Sequence, residues 1–420
     1  MLATQFEDFL VGPPKYGPFK PLIGGHVFTH DGPAWAYYRG LLRPQFSRQY
    51  VTQLIGIESN LKELFKCIPT DGTAVDMQSL FFDLCMDTAT QFLFGENTCA
   101  LQCRLSLLEG RTPSKQELSG SAFTTAFNDC QSHVLTRYYL RKFYYMHNPK
   151  EFQDSIKVCH DYIDRYVQRA VKIHDENERK ERSGEADNFI FLDKLAVVTK
   201  DPIVLRSSML GVLVAGRDAT AGLLAFMFLL LPRYPEAEKK LRQAIYTDFG
   251  EKYDKSRITF ESLRNCKYLA WTIDETLRMY PNAPINTRVA ARDTTLPVGG
   301  GPDGKSPIFV PKGTAVDYSV YAMHRRSDIF GPDANWFRPD RWGEMQLKGE
   351  STWSYLPFNG GPRICLGQQY TLVEVGYVTV RMFQEFKRIE MGEKTEFIKC
   401  LTGLITSVGG NGVQLKCYRE

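Results

Sequence analysis

One cysteine stands in a sequence context that favours metal chemistry. The stretch Phe358–Gly367, Phe-Asn-Gly-Gly-Pro-Arg-Ile-Cys-Leu-Gly, places Cys365 among glycines directly before a long apolar segment. A loop of this kind ahead of a helix can bring the sulfur to a metal with the backbone close behind it. Backbone N–H groups aimed at the sulfur would stabilise its thiolate and tune an iron that it ligates. Cys365 taken alone could equally be a buried free thiol, which we expect for the other nine cysteines.

A second candidate cluster is made of charged residues. Glu275 and Arg278 lie three residues apart and therefore on one face of a predicted helix. Arg341 could complete a buried, charge-paired triad with them. An isolated exposed pair at this spacing would contribute little to stability.

Other patterns exclude several classes of site. Gly299–Gly304 fits G-x-G-x-x-G, but it leads into a predicted strand and not a helix, so we predict a glycine-rich turn and no dinucleotide site. The ten cysteines are scattered without a C-x-x-C pair, which excludes a zinc ribbon and favours reduced thiols in a cytosol-facing protein. A net charge of +4 over 420 residues gives no indication of a nucleic-acid partner.

The elements that must position these residues are mostly helical up to about residue 398. Apolar spacing and capping signals predict helices over 49–66, 76–94, 121–137, 150–176, 202–231, 235–249, a short one after Thr259, 267–279 and 366–386. We predict solvated loops or frayed helix ends over 109–121 and 172–188. A small sheet is predicted over 285–316, and a hairpin from 404–408 and 413–417 around Gly409–Gly412. The longest apolar stretch, Leu223–Leu231, is too short to span a bilayer.

With F-x-x-G-x-R-x-C-x-G in place, the chain resembles the cytochrome P450 superfamily, whose haem iron takes a cysteine thiolate as a ligand. Glu275-Thr-Leu-Arg278 matches the family's E-x-x-R, and Phe337-Arg-Pro-Asp-Arg-Trp342 is similar to its F-x-P-E-R-F, with Asp340 in place of Glu. The resemblance implies a mainly α fold with minor β and a single haem domain over residues 1–420. It also implies that Glu275, Arg278 and Arg341 buttress the core beside the haem.

The same resemblance assigns residues to the haem. It gives Cys365 as the iron ligand, and it places Phe358 and Gly367 of the signature at the cofactor. Trp35 and Arg39 match W-x-x-x-R on an early helix, where the family holds a haem propionate. Two further propionate-binding arginines are implied at Arg288 and Arg363. An ordinary surface arginine is the alternative for each of these arginines.

Ala215-Gly-Arg-Asp-Ala-Thr220 resembles the family's A/G-G-x-D/E-T-T/S on the oxygen-binding side of the haem. The resemblance implies that Gly216 leaves room, that Asp218 lies on a proton path, and that Ala215 and Ala219 border the substrate. Ala219 replaces the usual hydroxyl residue. Thr220 retains a hydroxyl one position on, about 100° around the helix, so it need not take over that role.

Longer phrases, such as Tyr318–Pro332 and Ser354–Gln369, are similar to the fungal branch that hydroxylates n-alkanes and fatty acids. The resemblance therefore implies a monooxygenase that inserts one atom of O₂ into a C–H bond of an apolar aliphatic substrate. It implies haem b as the cofactor and NADPH acting only through a separate cytochrome P450 reductase, with cytochrome b5 as an optional second donor. The implied location is the cytoplasmic face of the endoplasmic reticulum membrane.

One departure concerns the start of the chain, because the resemblance begins just before the Trp35 helix. The family's membrane anchor, proline-rich hinge, first helix and first sheet strands have no counterpart, so we expect uncovered sheet edges. Three explanations are a misplaced start, a lost portion or an inactive haem-binding remnant. A pathway oxidase acting on a lipid-like secondary metabolite is the alternative activity.

Overall fold

A computed structural model describes residues 1–47, 55–177, 189–345, 349–393 and 397–419. The first eight α-helices are α1 (Pro13–Ile23), α2 (Gly32–Leu42), α3 (Ile55–Cys67), α4 (Met77–Phe94), α5 (Ala100–Leu108), α6 (Lys115–Tyr139), α7 (Lys150–Asn177) and α8 (Phe191–Val198). The later helices are α9 (Pro202–Leu230), α10 (Pro235–Phe249), α11 (Phe260–Asn265), α12 (Lys267–Met279), α13 (Val320–Met323), α14 (Ser327–Phe330), α15 (Arg341–Glu344) and α16 (Gln368–Glu385). Short 3₁₀ turns include Arg141–Met146 and Gly361–Arg363.

The long helix α9 runs through the centre of the molecule. The Asp201 carboxylate caps it by accepting from the N–H groups of Ile203 and Val204, and Pro202 occupies its first turn. It packs against α4, α12 and α16 among others. The segment Pro202–Arg233 is long and apolar enough to cross a membrane, yet 72% of its most apolar window is buried within the protein. Its apolar character is therefore that of a core helix.

Ten short strands form four small antiparallel sheets. The strands are β1 (Phe9–Leu10), β2 (Val75–Asp76), β3 (Ile285–Ala290), β4 (Thr294–Gly300), β5 (Ser306–Val310), β6 (Ala315–Ser319), β7 (Arg388–Met391), β8 (Cys400–Thr402), β9 (Thr406–Val408) and β10 (Gln414–Tyr418). The sheets have the orders β1-β3-β6, β2-β10-β7, β4-β5 and β8-β9. The fold is thus mainly α with minor β, as the sequence predicts.

The predicted hairpin around Gly409–Gly412 is wrong. Strand β9 pairs with β8, whereas β10 lies between β2 and β7, so the glycine-rich turn connects two different sheets. Gly409 N–H donates to Lys399 O, and Val413 N–H donates to the Asp76 carboxylate, both from outside the turn. These long-range bonds decide the pairing, which local turn chemistry could not reveal.

The predicted loop over 109–121 is also partly wrong. Helix α6 already begins at Lys115, because Ser114 and Glu117 form a reciprocal capping box. The signal S-x-x-E was present in the sequence. Most of the other predicted loop, residues 178–188, lies outside the described residues, as do residues 49–54 of the first predicted helix.

Candidate active site

Cys365 lies in a tight loop between Gly361–Arg363 and α16. The loop closes through Cys365 N–H, which donates to Phe358 O at 3.0 Å. Gly361 has φ +70°, and a Cβ there would lie 1.8 Å from Leu2 O, so only glycine fits. Enclosure by neighbouring atoms raises the pKa of the Cys365 thiol, while backbone N–H groups of Gly367 and Gln368 and the Arg39 charge act in the opposite direction. The loop thus directs backbone donors and a cation at the sulfur.

The Cys365 loop opens into a cavity built from both ends of the chain. Its walls come from α1, α2, α4, α9, β3, the start of α16 and the segment 26–28. The cavity has a volume of about 310 Å³. That volume lies at the lower end of the usual range for a ligand-binding pocket. Ten predicted site residues line it: Trp35, Arg39, Ala215, Gly216, Ala219, Arg288, Phe358, Arg363, Cys365 and Gly367.

Cations predominate along one side of this cavity. Lys15, Arg39, Arg288 and Arg363 all line it, and the Asp31 carboxylate pairs with Arg363, 2.5 Å from its Nη2. Burial and the neighbouring arginines lower the pKa of Lys15 to about 8, with Asp31 opposing. Burial also lowers the pKa of Arg363 to about 10. Such a surplus of positive charge favours a ligand that carries carboxylates.

Much of the hydrogen-bonding capacity of Arg363 is used within the protein. Its Nη1 donates to Val27 O at 3.1 Å, and its Nη2 donates to His30 O at 3.0 Å as well as to Asp31. Only its Nε lacks a partner among the described residues. The guanidinium also stacks 4.7 Å from the Trp35 ring, while that of Arg39 lies 5.7 Å from the same ring. Arg363 therefore anchors the segment 27–31 to the cysteine loop in addition to facing the cavity.

Helix α9 supplies the opposite, apolar wall. Ala215, Gly216 and Ala219 share its cavity face, and a Cβ added at Gly216 would meet nothing within 4 Å. Asp218 and Thr220, by contrast, are not among the described residues that line the cavity.

Thr220 is buried in the protein, and Asp218 is largely buried, with its side chain 14% exposed. The Asp218 carboxylate accepts from Arg217 Nη1 at 2.8 Å, and burial raises its pKa against the attraction of Arg217. The Thr220 hydroxyl is buried without a hydrogen-bond partner among the described residues.

The charged triad lies away from the cavity and is fully buried. Glu275, Arg278 and Arg341 are each 0% exposed. Arg278 Nε and Nη2 donate to Glu275 at 2.9 and 2.8 Å, and Arg341 Nε donates to it at 3.1 Å. Arg278 Nη1 also donates to His324 O and Ala334 O, which ties α12 to the segments after α13 and α14. Glu275 and Arg278 are therefore not an exposed surface pair.

Four polar residues are among the cavity residues that lie outside the predicted site: Lys15, His26, Asn282 and Glu374. Asn282 Nδ2 donates to Ala219 O at 3.0 Å, next to the usual hydroxyl position. Glu374 accepts a short hydrogen bond from the Thr88 hydroxyl, and burial raises its pKa to about 7. Each is a single polar residue whose position in the cavity wall depends on tertiary packing. No local sequence motif could therefore predict it.

The donor set suits haem on grounds of structure alone. A cysteine sulfur with backbone donors, an edge rich in cations and open space beside Gly216 match a flat macrocycle with one sulfur ligand and two carboxylates.

Comparison with known proteins gives the same answer. The family model described as cytochrome P450 matches residues 3–413. The chain belongs to the cytochrome P450 family. It is accordingly a haem protein and a monooxygenase, an oxidoreductase that incorporates one oxygen atom into its substrate.

Relatives of this P450 come from fungi. It is 44% identical over 418 residues to cytochrome P450 52A13 of Debaryomyces hansenii, covering 98% of this chain and 78% of that one. It is 44% identical over 422 residues to cytochrome P450 52A1 of Candida tropicalis, covering 100% and 76%. Cytochrome P450 monooxygenase g430 of a Fusarium species is 43% identical over 432 residues, with 100% and 73% covered. The predicted family and its fungal branch are confirmed.

A solved structure shares the fold of this P450. The crystal structure of the cytochrome P450DA heme domain superposes with a TM-score of 0.75 at 20% identity, covering 99% of this chain and 84% of that chain. At this identity the likeness concerns the fold alone.

Proposed function

We propose that this P450 hydroxylates an apolar aliphatic substrate, such as an n-alkane or a fatty acid, within a single haem domain over residues 1–420. The observation that carries the proposal is the position of Cys365 across one cavity from an apolar helix face. That face consists of Val212, Ala215, Gly216 and Ala219, and Phe92 adds an aromatic wall. An apolar wall excludes water and accepts an alkyl chain without hydrogen bonds.

Haem ligated by a thiolate supplies the activation of O₂ when bound. The residues of the chain bind this cofactor, shape the substrate space and supply protons. Cys365 would hold the iron, and Lys15, Trp35, Arg39, Arg288 and Arg363 are the candidates that would hold the propionates. Gly216 would leave open space in the cavity beside the bound haem. Asp218 is the proposed proton source, and because it does not line the cavity, its proton must travel through an ordered water or a rotated side chain.

The electrons come from NADPH through a separate cytochrome P450 reductase, with cytochrome b5 as an optional donor. We place the protein at the cytoplasmic face of the endoplasmic reticulum membrane. An exposed aromatic and basic cluster supports a membrane surface: Tyr139, Tyr145 and Met146 are 59%, 63% and 72% exposed beside Arg141 and Lys142. Aromatic rings with adjacent cations suit the headgroup region of a bilayer.

The test has two stages. The haem-loaded protein, reduced and exposed to CO, should give the red-shifted absorption of thiolate ligation, which an inactive remnant without a bound thiolate would not give. Turnover with reductase and NADPH should then oxidise n-alkanes or fatty acids. Oxidation only of polyketide-like substrates would instead favour the secondary-metabolite alternative.

A further inference from the structure

A buried histidine in the cavity wall has no hydrogen-bond partner. His26 is 1% exposed, and neither Nδ1 nor Nε2 has a partner among the described residues. It nevertheless lines the cavity that contains Cys365. Leaving two buried ring nitrogens unpaired costs free energy, and a ligand in the cavity that bonds to one of them would recover part of that cost.

Hydrogen bonds hold the backbone that carries His26 in a defined turn. His26 N–H donates to the Thr29 hydroxyl at 2.9 Å, and that hydroxyl lies 3.0 Å from Gly24 O, which closes a compact turn. Arg363 binds the carbonyl oxygens of Val27 and His30, which follow His26 in the chain. The turn that carries His26 is thereby fixed to the cysteine loop.

Helix α9 is shaped to receive the ring. A Cβ at Gly211 would lie 2.4 Å from His26 ring atoms, so the absence of a side chain at Gly211 makes room for the imidazole. Gly211 and Gly216 line the same cavity, and five residues of helix separate them by about 7.5 Å. The imidazole thus lines the same cavity as Gly216, about one and a half helical turns away along α9.

The chemistry of the ring limits what it can bind. Burial lowers the pKa of His26 to about 3, with a smaller effect from His30, so the imidazole is neutral near pH 7. A neutral imidazole offers one N–H donor and one acceptor. A hydroxyl group can pair with either ring nitrogen because it both donates and accepts, whereas a carboxylate can only accept from the N–H. Val212 and Ala215 on the adjacent wall are apolar, which leaves alkyl carbon as the rest of the ligand.

We propose that His26 is a specificity-determining residue that hydrogen-bonds a neutral oxygen of an aliphatic substrate, favouring an alcohol over the unsubstituted alkane. The proposal rests on the proposed function, because it presumes that the substrate occupies this cavity. Val212 and Phe92 would then contact the alkyl chain, and His26 would hold the oxygen.

Equilibrium binding of three probes with ten carbons tests the assignment: n-decane, 1-decanol and decanoic acid, each followed by the ligand-induced shift in haem absorption of the haem-loaded protein. We expect His26→Phe to weaken the binding of 1-decanol by about threefold to tenfold, because one neutral hydrogen bond is lost. Affinity for n-decane and decanoic acid should change by less than about twofold. His26→Gln, which keeps a donor and an acceptor, should retain most of the alcohol affinity.

Two further variants serve as a substitute and as a control. His26→Leu replaces His26→Phe if the larger ring prevents haem loading. His133→Phe is the matched control, because His133 pairs with His147 Nε2 at 2.8 Å and is not among the residues that line the cavity. It should leave all three affinities unchanged.

Several outcomes would overturn the proposal. They are an unchanged alcohol affinity, an equal loss for all three probes, a loss confined to decanoic acid, or failure of both apolar variants to load haem. Failure of the proposed function looks different: the unsubstituted protein would then lack the thiolate spectrum with CO or would oxidise none of the three probes.

Discussion

The indole Nε1 of Trp342 donates to Glu275 Oε2 at 3.0 Å. The family pattern that this segment resembles ends in phenylalanine, so Trp342 adds a donor to the buried carboxylate. Glu275 also accepts from Arg278 Nε and Nη2, Arg341 Nε and Arg338 N–H. Five hydrogen bonds thus converge on one carboxylate, and they satisfy a charge that is 0% exposed.

Replacing Trp342 with phenylalanine should cost little compared with removing the carboxylate. Glu275 keeps four other donors, so Trp342→Phe should lower the free energy of unfolding by about 1–2 kcal/mol. Glu275→Ala strands two buried arginines and should cost about 3–5 kcal/mol, with loss of haem-loaded protein. Chemical denaturation and haem content measure both. Equal effects of the two substitutions would contradict this ranking.

Cys365→Ser should abolish the red-shifted CO spectrum, because a serine oxygen does not replace the thiolate. Cys400→Ser is the matched control, since Cys400 is the other cysteine that is exposed among the described residues. It should leave the spectrum unchanged. A serine variant at 365 that kept the spectrum would show that another cysteine is the ligand.

Glu374 should make stability depend on pH near neutrality. Burial raises its pKa to about 7 from a value near 4.5, so the folded protein retains a proton that the unfolded chain has lost. Its contribution is fully present below pH 4.5 and is lost as pH rises through about 7. Glu374→Gln should therefore match the unsubstituted protein at pH 5 and exceed its stability by about 2–3 kcal/mol at pH 8.

Urea denaturation at several pH values measures the difference between the two proteins. Subtracting one curve from the other removes the contributions of other titrating groups. A difference that does not vary with pH would mean that Glu374 titrates at its ordinary value in the folded protein.

Ala219 should reduce the coupling of NADPH consumption to product. The family's usual hydroxyl is absent there, and the Thr220 hydroxyl is buried outside the cavity lining. We expect Ala219→Thr to raise product formed per NADPH and to reduce released hydrogen peroxide. Thr220→Val should leave coupling unchanged and raise stability slightly, since it removes an unpaired buried hydroxyl. Collapse of coupling in Thr220→Val would assign the role to Thr220 instead.

Helices and motif residues were predictable because their signals are local. Helix α12 follows from apolar spacing and from the proline after Tyr280, and the W-x-x-x-R spacing brings Trp35 and Arg39 together on one face. The pairing of β9 and β10 was not predictable, since it depends on strands far away in the chain.

The same contrast holds within the site. Ten residues that belong to motifs line the cavity as expected, whereas Lys15, His26 and Glu374 reach it only through packing. Asp218 also belongs to a motif, but its neighbour Arg217 engages its carboxylate outside the cavity lining. A motif thus identified the position of Asp218 on α9 but not the partner that binds its side chain.

The contacts of Arg363 with Val27, His30 and Asp31 join positions 332 to 336 residues apart. During synthesis the chain emerges at roughly 5–20 residues per second. The Arg363 guanidinium is therefore made about 20–70 s after the segment 27–31 that it contacts. The haem site in its final form therefore cannot be completed before Arg363 has been synthesised, and the segment 27–31 lacks these three contacts until then.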